Sequence, residues 1–352
     1  MDHPTLPALV TGKKPESMQC MTDTVFARPA KDYFELNINE LHRLAKLFGG
    51  EKPLQMVGDY YSIKLGPSSA SGFVARVCGS KEVGLLIGLF DEEELKEAAT
   101  KTRSLIKNLP FKGVCRPFRK DLVALFVDKI GGKVSVQSPR LTVDVICLDG
   151  KYLVGVSPAV NTRVKLTRKP PKRWAYFHAG VLPPHFSALM CNLTICPKAG
   201  VLIDPFCGTG STLVAASTLE IKAFGVELSK KQVYGCRRNM KFLGVAHNVI
   251  GIIRADASRI PTKEAVFDAA VFDPPYGRVS SLFGRSFEAL LRDVLESLWL
   301  TLKPNGKICF LCPLGEEALA VVRGSGFEPV YTHAIPVHRN LSRLLIVADK
   351  VS

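Results

Sequence analysis

Asp273-Pro274-Pro275-Tyr276 closes an apolar run, Ala269–Phe272, that reads as a strand inside a sheet. Two prolines fix φ and remove two backbone donors, and each biases the residue before it towards an extended form. The segment is therefore a stiff, non-helical platform with a carboxylate at one end and an aromatic ring at the other. An exocyclic amine on a base is a weak nucleophile, because its lone pair is delocalised into the ring. Asp273 and the carbonyl of Pro274 can accept the two N–H bonds of such an amine, which favours its pyramidal form. Tyr276 offers a face on which a base can stack, and Pro275 with Pro274 keeps the groups fixed, so positioning lowers the barrier.

A second motif lies upstream. "VLIDPFCGTGSTLVAA" reads as strand, glycine-rich turn, helix. Gly208 and Gly210 allow the chain to bend and come close to a ligand. Asp204 ends the first strand and Glu227 the next, where an acid can bond ribose hydroxyls. Leu213 stands where a dinucleotide site has its third glycine, and an acid just before the turn is a poor neighbour for phosphate. A nucleoside with a positively charged, phosphate-free tail fits better, and S-adenosylmethionine is such a ligand. Its ammonium can meet Asp204 and its ribose Glu227, while Asp256, ending the third strand, can bond the adenine amino group. Phe206, Thr209, Leu228 and Ala257 complete this cofactor set, which Asp273 borders. Read singly, the glycine turn could be a plain turn and Asp256 a surface acid.

Alternating helices and strands from residue 186 onward predict a doubly wound parallel sheet. Strands are expected at 200–203, 223–226, 249–253, 269–272 and 307–311. Helices are expected at 186–194, 212–219, 230–243, 287–300 and 316–323. Two closing runs, 329–337 and 341–348, are too close for a crossover and should form an antiparallel hairpin at one edge. Residues 31–158 read as α+β. Strands are expected at 33–38, 54–65, 72–78, 83–90 and 111–115, and in "VSVQ", "LTVDVICL" and "YLVGVS". Helices are expected after Asn39 as cap, over "DEEELKEAATKTRSL" and at 121–130. Asp149-Gly150 signals a hairpin. Residues 1–30 have no clear period and read as a poorly ordered lead-in.

Residues 159–186 have the composition of a linker. Arg163, Lys165, Arg168, Lys169, Lys172 and Arg173 crowd together with no acid. Both a solvated connector and a contact to RNA phosphates fit this run. Trp174, Tyr176 and Phe177 could stack on bases or pin the linker to a domain. The net charge of +15 over 352 residues points to a polyanionic partner. Cys309 and Cys312 have CxxC spacing but lie in a strand, where positions three apart point to opposite faces. Reduced, mostly buried thiols are expected, with no metal. No run is long enough to span a bilayer and no signal peptide opens the chain, so a cytoplasmic protein is expected.

"DPFCGTG" followed by "DPPYG" resembles the Rossmann-type amino methyltransferases. From about residue 31 the chain resembles the archaeal and eukaryotic THUMP-containing tRNA guanine-N(2)-methyltransferases that act on guanosine 10. The resemblance implies a ferredoxin-like domain at 31–100, a THUMP domain at 101–158, the linker at 159–186 and a Rossmann-fold catalytic domain at 187–352. It implies tRNA as substrate, with the target base extruded from its helix, and N-terminal units that hold the acceptor end. A small zinc-binding activator protein is known for part of the family. "YFHAGVLPPHFSALMCNL" is similar to the family's aromatic-Phe-His-Pro-Gly segment, with Ala179 where proline is usual. This makes His178 a candidate neighbour of the methionine tail, although a packed linker histidine fits as well. Relatives acting on guanosine 6 share the architecture but more often carry Asn at the position of Asp273. The same chemistry on DNA, on a protein glutamine, or a dead catalytic fold that binds RNA are the competing readings.

Overall fold

The computed structural model describes residues 22–50, 55–66, 68–106, 108–275, 286–313, 315–338 and 341–351. The N-terminal half is built from β1 (Thr24–Pro29), α1 (Phe34–Leu47), β2 (Gln55–Val57), β3 (Tyr60–Lys64), α2 (Ala70–Arg76), β4 (Ser80–Phe90), α3 (Leu95–Ile106), β5 (Phe111–Arg116), α4 (Lys120–Ile130), β6 (Leu141–Leu148) and β7 (Lys151–Pro158). These strands form a single sheet in the order β2-β3-β1-β4-β7-β6-β5. Only β5 and β6 run parallel. Asp149 and Gly150 both take positive φ at the β6–β7 turn, as the hairpin signal requires.

Four expectations for this half are corrected. Thr24–Pro29 lies between β3 and β4, so the lead-in ends well before residue 30. Val25, Phe26 and Ala27 are all fully buried, so the strand has no alternation to betray it. Residues 33–38 open a helix and are not a strand: Tyr33, in left-handed backbone, caps α1, and Asn39 lies inside it. Asn37 and Glu40 share the buried face with Leu36, Leu41 and Leu44, and these two polar residues break up the apolar stripe. Gly72–Cys78 is likewise mostly helix, with Ala70, Phe73 and Val74 buried at helical spacing. "VSVQ" contributes only a bridge from Val134 to Phe111.

The linker is more ordered than its composition implies. It holds α5 (Thr162–Thr167), whose N-terminus is capped by Asn161 accepting from the Val164 N–H at 2.9 Å. Next, α6 (Pro184–Leu193) starts on a proline. The second sheet follows with β8 (Val201–Asp204), α7 (Ser211–Thr218), β9 (Lys222–Glu227), α8 (Lys230–Leu243), β10 (Val249–Arg254), β11 (Phe267–Phe272), α9 (Phe287–Thr301), β12 (Leu302–Pro313), α10 (Glu316–Gly324), β13 (Phe327–His338) and β14 (Leu341–Lys350). Its order is β10-β9-β8-β11-β12-β14-β13. The strands are parallel except β14, which runs antiparallel to both its neighbours. The chain leaves β8 in one direction and returns to β11 on its other side, so a topological switch point opens between their carboxyl ends.

Two apolar layers sandwich this sheet. One packs α6, α7 and α8 against it, and the other packs α9 and α10. Cys309 lies in the first layer and Cys312 in the second, the opposite facing expected of a strand. The first layer also takes in Leu36 and Cys78 from the N-terminal half, so apolar packing continues across the seam between the halves.

A buried polar network reinforces that seam. The Glu40 carboxylate accepts from the backbone N–H groups of Cys78 and Gly79 and, at 2.6 Å, from the Asn192 amide on α6. Asn192 in turn accepts from Arg76 Nε at 3.0 Å and donates to the Arg76 carbonyl, while the Arg76 guanidinium donates to the Cys196 carbonyl. Burial pushes the Glu40 carboxyl above its ordinary value, against the pull of these hydrogen bonds.

Candidate active site

Asp204, Glu227 and Asp273 end or follow β8, β9 and β11, three adjacent strands. Asp204 is buried. Its Oδ1 accepts from the Phe206 N–H at 2.9 Å, and the Thr212 hydroxyl donates to it as well. Burial pushes its carboxyl up to about 7 against those bonds, and the charges of Glu227 and Asp273 push it further. Glu227 accepts from Gly208 N–H at 3.1 Å and Ser229 N–H at 2.8 Å. The acid thus holds the glycine turn and still has lone pairs to offer a ligand.

Gly208 and Gly210 both take positive φ. A Cβ on Gly210 would sit 2.6 Å from Met240 Cε and 2.7 Å from Cys236 Sγ. This glycine is therefore needed for close packing on α8 as well as for the turn. Thr209 is buried with its hydroxyl unpartnered among the described residues. Its carbonyl accepts from the Asn239 amide of α8 at 2.9 Å. Phe206 leans on Phe272 at 6.1 Å between centroids, and Phe272 stacks on Phe310 at 4.9 Å.

Asp256 follows β10 and caps the short turn Ala257–Arg259, accepting from Ser258 N–H and Oγ. Ala257 is buried and Leu228 is exposed. His178 is exposed, and its Nδ1 lies 2.8 Å from the Ala179 carbonyl oxygen. Pro274 and Pro275 leave β11 outside any helix or strand. Tyr276 lies outside the described residues.

Sequence reasoning missed Arg343. It stands at the start of β14, opposite Pro313 of β12, and its Nη1 donates to Asp273 Oδ2 at 3.2 Å. It also missed Asn239, which clamps the linker to α8 by accepting from Tyr176 N–H and donating to the Tyr176 carbonyl. The buried position of a polar residue in an amphipathic helix was the available signal for Asn239. For Arg343 there was only a cation opening an otherwise apolar strand.

In the linker, Lys165, Arg168, Lys169, Lys172 and Arg173 are exposed. Arg163 departs from that set: its guanidinium binds the Asp32 carboxylate at 2.5 Å and is largely covered. Trp174 is buried, with Nε1 donating to the Lys169 carbonyl. Tyr176 packs over Gly235, and Phe177 is exposed.

The donor set suits a cationic nucleoside. Three carboxylates face one switch point, and the cation paired with them, Arg343, serves Asp273. A sulfonium and an ammonium would offset the burial that chiefly raises Asp204 and the repulsion from Glu227 and Asp273 that adds to it.

Known proteins resemble this chain in sequence and fold. Residues 171–342 match the RMKL-like methyltransferase domain. A tRNA (guanine(10)-N2)-dimethyltransferase of Methanothermobacter thermautotrophicus is 29% identical over 67% of this chain and 69% of its own. The enzyme of that name from Methanocaldococcus jannaschii is 26% identical over 74% of this chain and 73% of its own. The chain is thus similar to the tRNA guanine-N(2)-methyltransferases and carries a matched methyltransferase domain. The crystal structure of TrmN from Thermus thermophilus aligns with a TM-score of 0.47 at 17% identity, over 93% of this chain and 99% of that one. No helix among the described residues is long and apolar enough to cross a membrane.

Proposed function

We infer that the protein methylates the exocyclic 2-amino group of guanosine 10 in tRNA. The observation that carries this reading is the convergence of Asp204, Glu227 and Asp273 on one switch point, with Arg343 on the last of them. When bound, S-adenosylmethionine supplies an electrophilic methyl group on a sulfonium. Asp204 would hold its ammonium, Glu227 its ribose and Asp256 its adenine amine, with Gly208, Thr209 and Gly210 as the floor. Phe206, Leu228, Ala257 and His178 belong to the same proposed lining.

Asp273 and the Pro274 carbonyl accept the two N–H bonds of the guanine amine and turn its lone pair outwards. Arg343 fixes the carboxylate from behind and keeps one of its oxygens out of competition. Pro275 stiffens the platform, and Tyr276 is the proposed stacking face. Lys165, Arg168, Lys169, Lys172 and Arg173 are the proposed phosphate contacts of the linker.

The N-terminal half is proposed to grip the tRNA acceptor end, as a ferredoxin-like unit that takes in β1 and runs to about residue 100 and a THUMP unit at 101–158. Reduced buried thiols support action in the cytoplasm. A small zinc-binding activator protein is a proposed partner.

Incubating the purified protein with labelled cofactor and unmodified tRNA, DNA or ribosomal protein tests the reading. Label in tRNA is expected, and mass mapping should find one or two methyls on the 2-amino group of guanosine 10. Label confined to DNA or protein overturns it.

A further inference from the structure

The outward face of α8 is unlike any other helix face in the protein's catalytic half. Lys230, Lys231, Tyr234, Arg237, Arg238, Lys241 and Phe242 are all exposed, while Val233, Cys236, Met240 and Leu243 are buried beneath them. At 100° per residue the exposed side chains cover an arc of about 140°. The helix contains no acid. Tyr234 and Phe242 are 64% and 62% exposed, values at which an aromatic ring has little cover from its own protein. Among the described residues no ion pair joins these cations to a carboxylate. Arg237 is committed to the fold, donating to the Ile252 carbonyl at 2.6 Å, and Arg238 lies over the Tyr234 ring at 5.9 Å.

A solvated helix face normally alternates charge sign, which lowers self-repulsion. Here five like charges are kept together and two large rings are left in water between them. Like charges at helical spacing destabilise the isolated helix, and exposed rings forgo burial. Both costs are offset if the face meets a polyanion that also offers flat surfaces.

The position of the face adds to this. Its first residues follow Glu227 directly, so it starts at the carboxyl edge of the sheet, where the carboxylates converge. It then runs about 21 Å away from them. The linker lies along its border: Tyr176 packs on Gly235 and is held by Asn239, both on the flank next to Lys231 and Phe242. Lys172, Arg173 and Phe177, all exposed, lie within four residues of this contact in the chain.

We propose that the outer face of α8, joined to the basic linker, is a docking track for the strand of the tRNA that flanks the target nucleotide. Lys230, Lys231, Arg238 and Lys241 meet phosphates, and Tyr234 and Phe242 take bases or riboses beside them. This rests on the reading of tRNA as substrate. It extends that reading to a helix that holds none of the cofactor or amine-binding groups. The track would orient the flanking backbone so that the extruded base reaches Asp273.

The test uses the full chain with Lys231→Gln, Arg238→Gln and Lys241→Gln combined. All three side chains are exposed, and an unchanged affinity for S-adenosylmethionine reports an intact catalytic half. Binding of unmodified tRNA is measured over a range of salt, with methyl transfer alongside. The variant should bind at least about tenfold more weakly near physiological salt. Its slope of log affinity against log salt should ease by about 2. KM for tRNA should rise while kcat at saturation stays within about twofold. A separate Tyr234→Ala, Phe242→Ala variant should weaken binding with the slope unchanged. If the wild type methylates tRNA and the triple variant binds with the same affinity and slope, the face does not touch RNA. The proposal is then overturned and the functional reading stands. If the wild type binds tRNA but transfers no methyl to it, the functional reading falls and takes this proposal with it.

Discussion

Arg343 Nη1 donates to Asp273 Oδ2 at 3.2 Å, across the gap between the start of the last strand and the end of β11. Both side chains are mostly covered, with 26% and 17% of their surface exposed, so the pair is shielded from bulk screening. One carboxylate oxygen is thereby oriented by the arginine. Asp273→Ala should lower kcat by about 10²- to 10³-fold and leave tRNA affinity within about twofold. Arg343→Gln should lower kcat by about 10- to 100-fold through misplacement of the carboxylate, with KM for the cofactor unchanged. Arg343→Lys should recover part of the loss. Steady-state kinetics on unmodified tRNA decide the matter, and an Arg343→Gln enzyme with normal kcat would show that Asp273 needs no such support.

If it holds the cofactor's ammonium as proposed, the buried Asp204 gives cofactor binding a pH dependence. Its carboxyl is pushed from an ordinary 3.8 to about 7 by burial first, then by Glu227 and Asp273. Because the folded value is the higher one, the free protein favours the protonated form. The stability this group contributes is full below about 4 and is lost as pH rises through about 7. Asp144, also pushed up to about 7 by burial, acts with the same sign. Pairing with an ammonium requires the ionised form. Cofactor affinity should therefore climb nearly tenfold per pH unit on the acid side of 7 and level off above it. Titration calorimetry between about pH 5.5 and 8.5 measures this. Asp204→Asn should bind more weakly at every pH and lose most of the slope.

Much of the catalytic half was legible because each βα unit carries its own punctuation. The helix expected at 230–243 is found at Lys230–Leu243, with a serine cap before it and Gly244 in left-handed backbone after it. Asp204, Glu227 and Asp273 were readable because each closes a local apolar run. Arg343 was not, since its approach to Asp273 depends on β14 inserting between β12 and β13, a pairing that no local pattern records. In the N-terminal half Asn37 and Glu40 replaced apolar residues on a buried helix face, and a strand buried on both sides offered no alternation. The period was masked in both cases by contacts distant in sequence.

The Glu40–Asn192 contact at 2.6 Å makes the seam between halves a test of cooperativity. Asn192→Ala removes one of the donors to a Glu40 oxygen that keeps Cys78 N–H, and takes the side-chain partner from Arg76 Nε and the Arg76 carbonyl. A cost of about 3 kcal/mol is expected from such buried unsatisfied groups. Glu40→Gln should cost a similar amount. One oxygen faces Cys78 N–H and Asn192 and the other Gly79 N–H, so an amide nitrogen meets a donor either way. Denaturant melts followed by two probes should change from one coincident transition to two. A single, unshifted transition would mean that the apolar core shared through Leu36 and Cys78 holds the halves together unaided.

Gly235 and Tyr176 offer the last test, because they couple the linker to α8. A Cβ built on Gly235 falls 2.1 Å from Tyr176 Cδ1 and 2.5 Å from Cγ, closer than any side chain tolerates. The helix backbone cannot yield without breaking its own bonds, so in Gly235→Ala the ring must leave. Overpacking of this kind costs about 1–3 kcal/mol. It also strains the paired bonds between Asn239 and the Tyr176 backbone, and through Asn239 the loop carbonyl of Thr209. Cofactor affinity should drop about three- to tenfold as that loop loosens. Tyr176→Ala removes the obstacle, so the double variant should be no less stable than Tyr176→Ala alone, a coupling energy of 1 kcal/mol or more in magnitude. Strict additivity in thermal melts would mean that the two residues do not meet in solution.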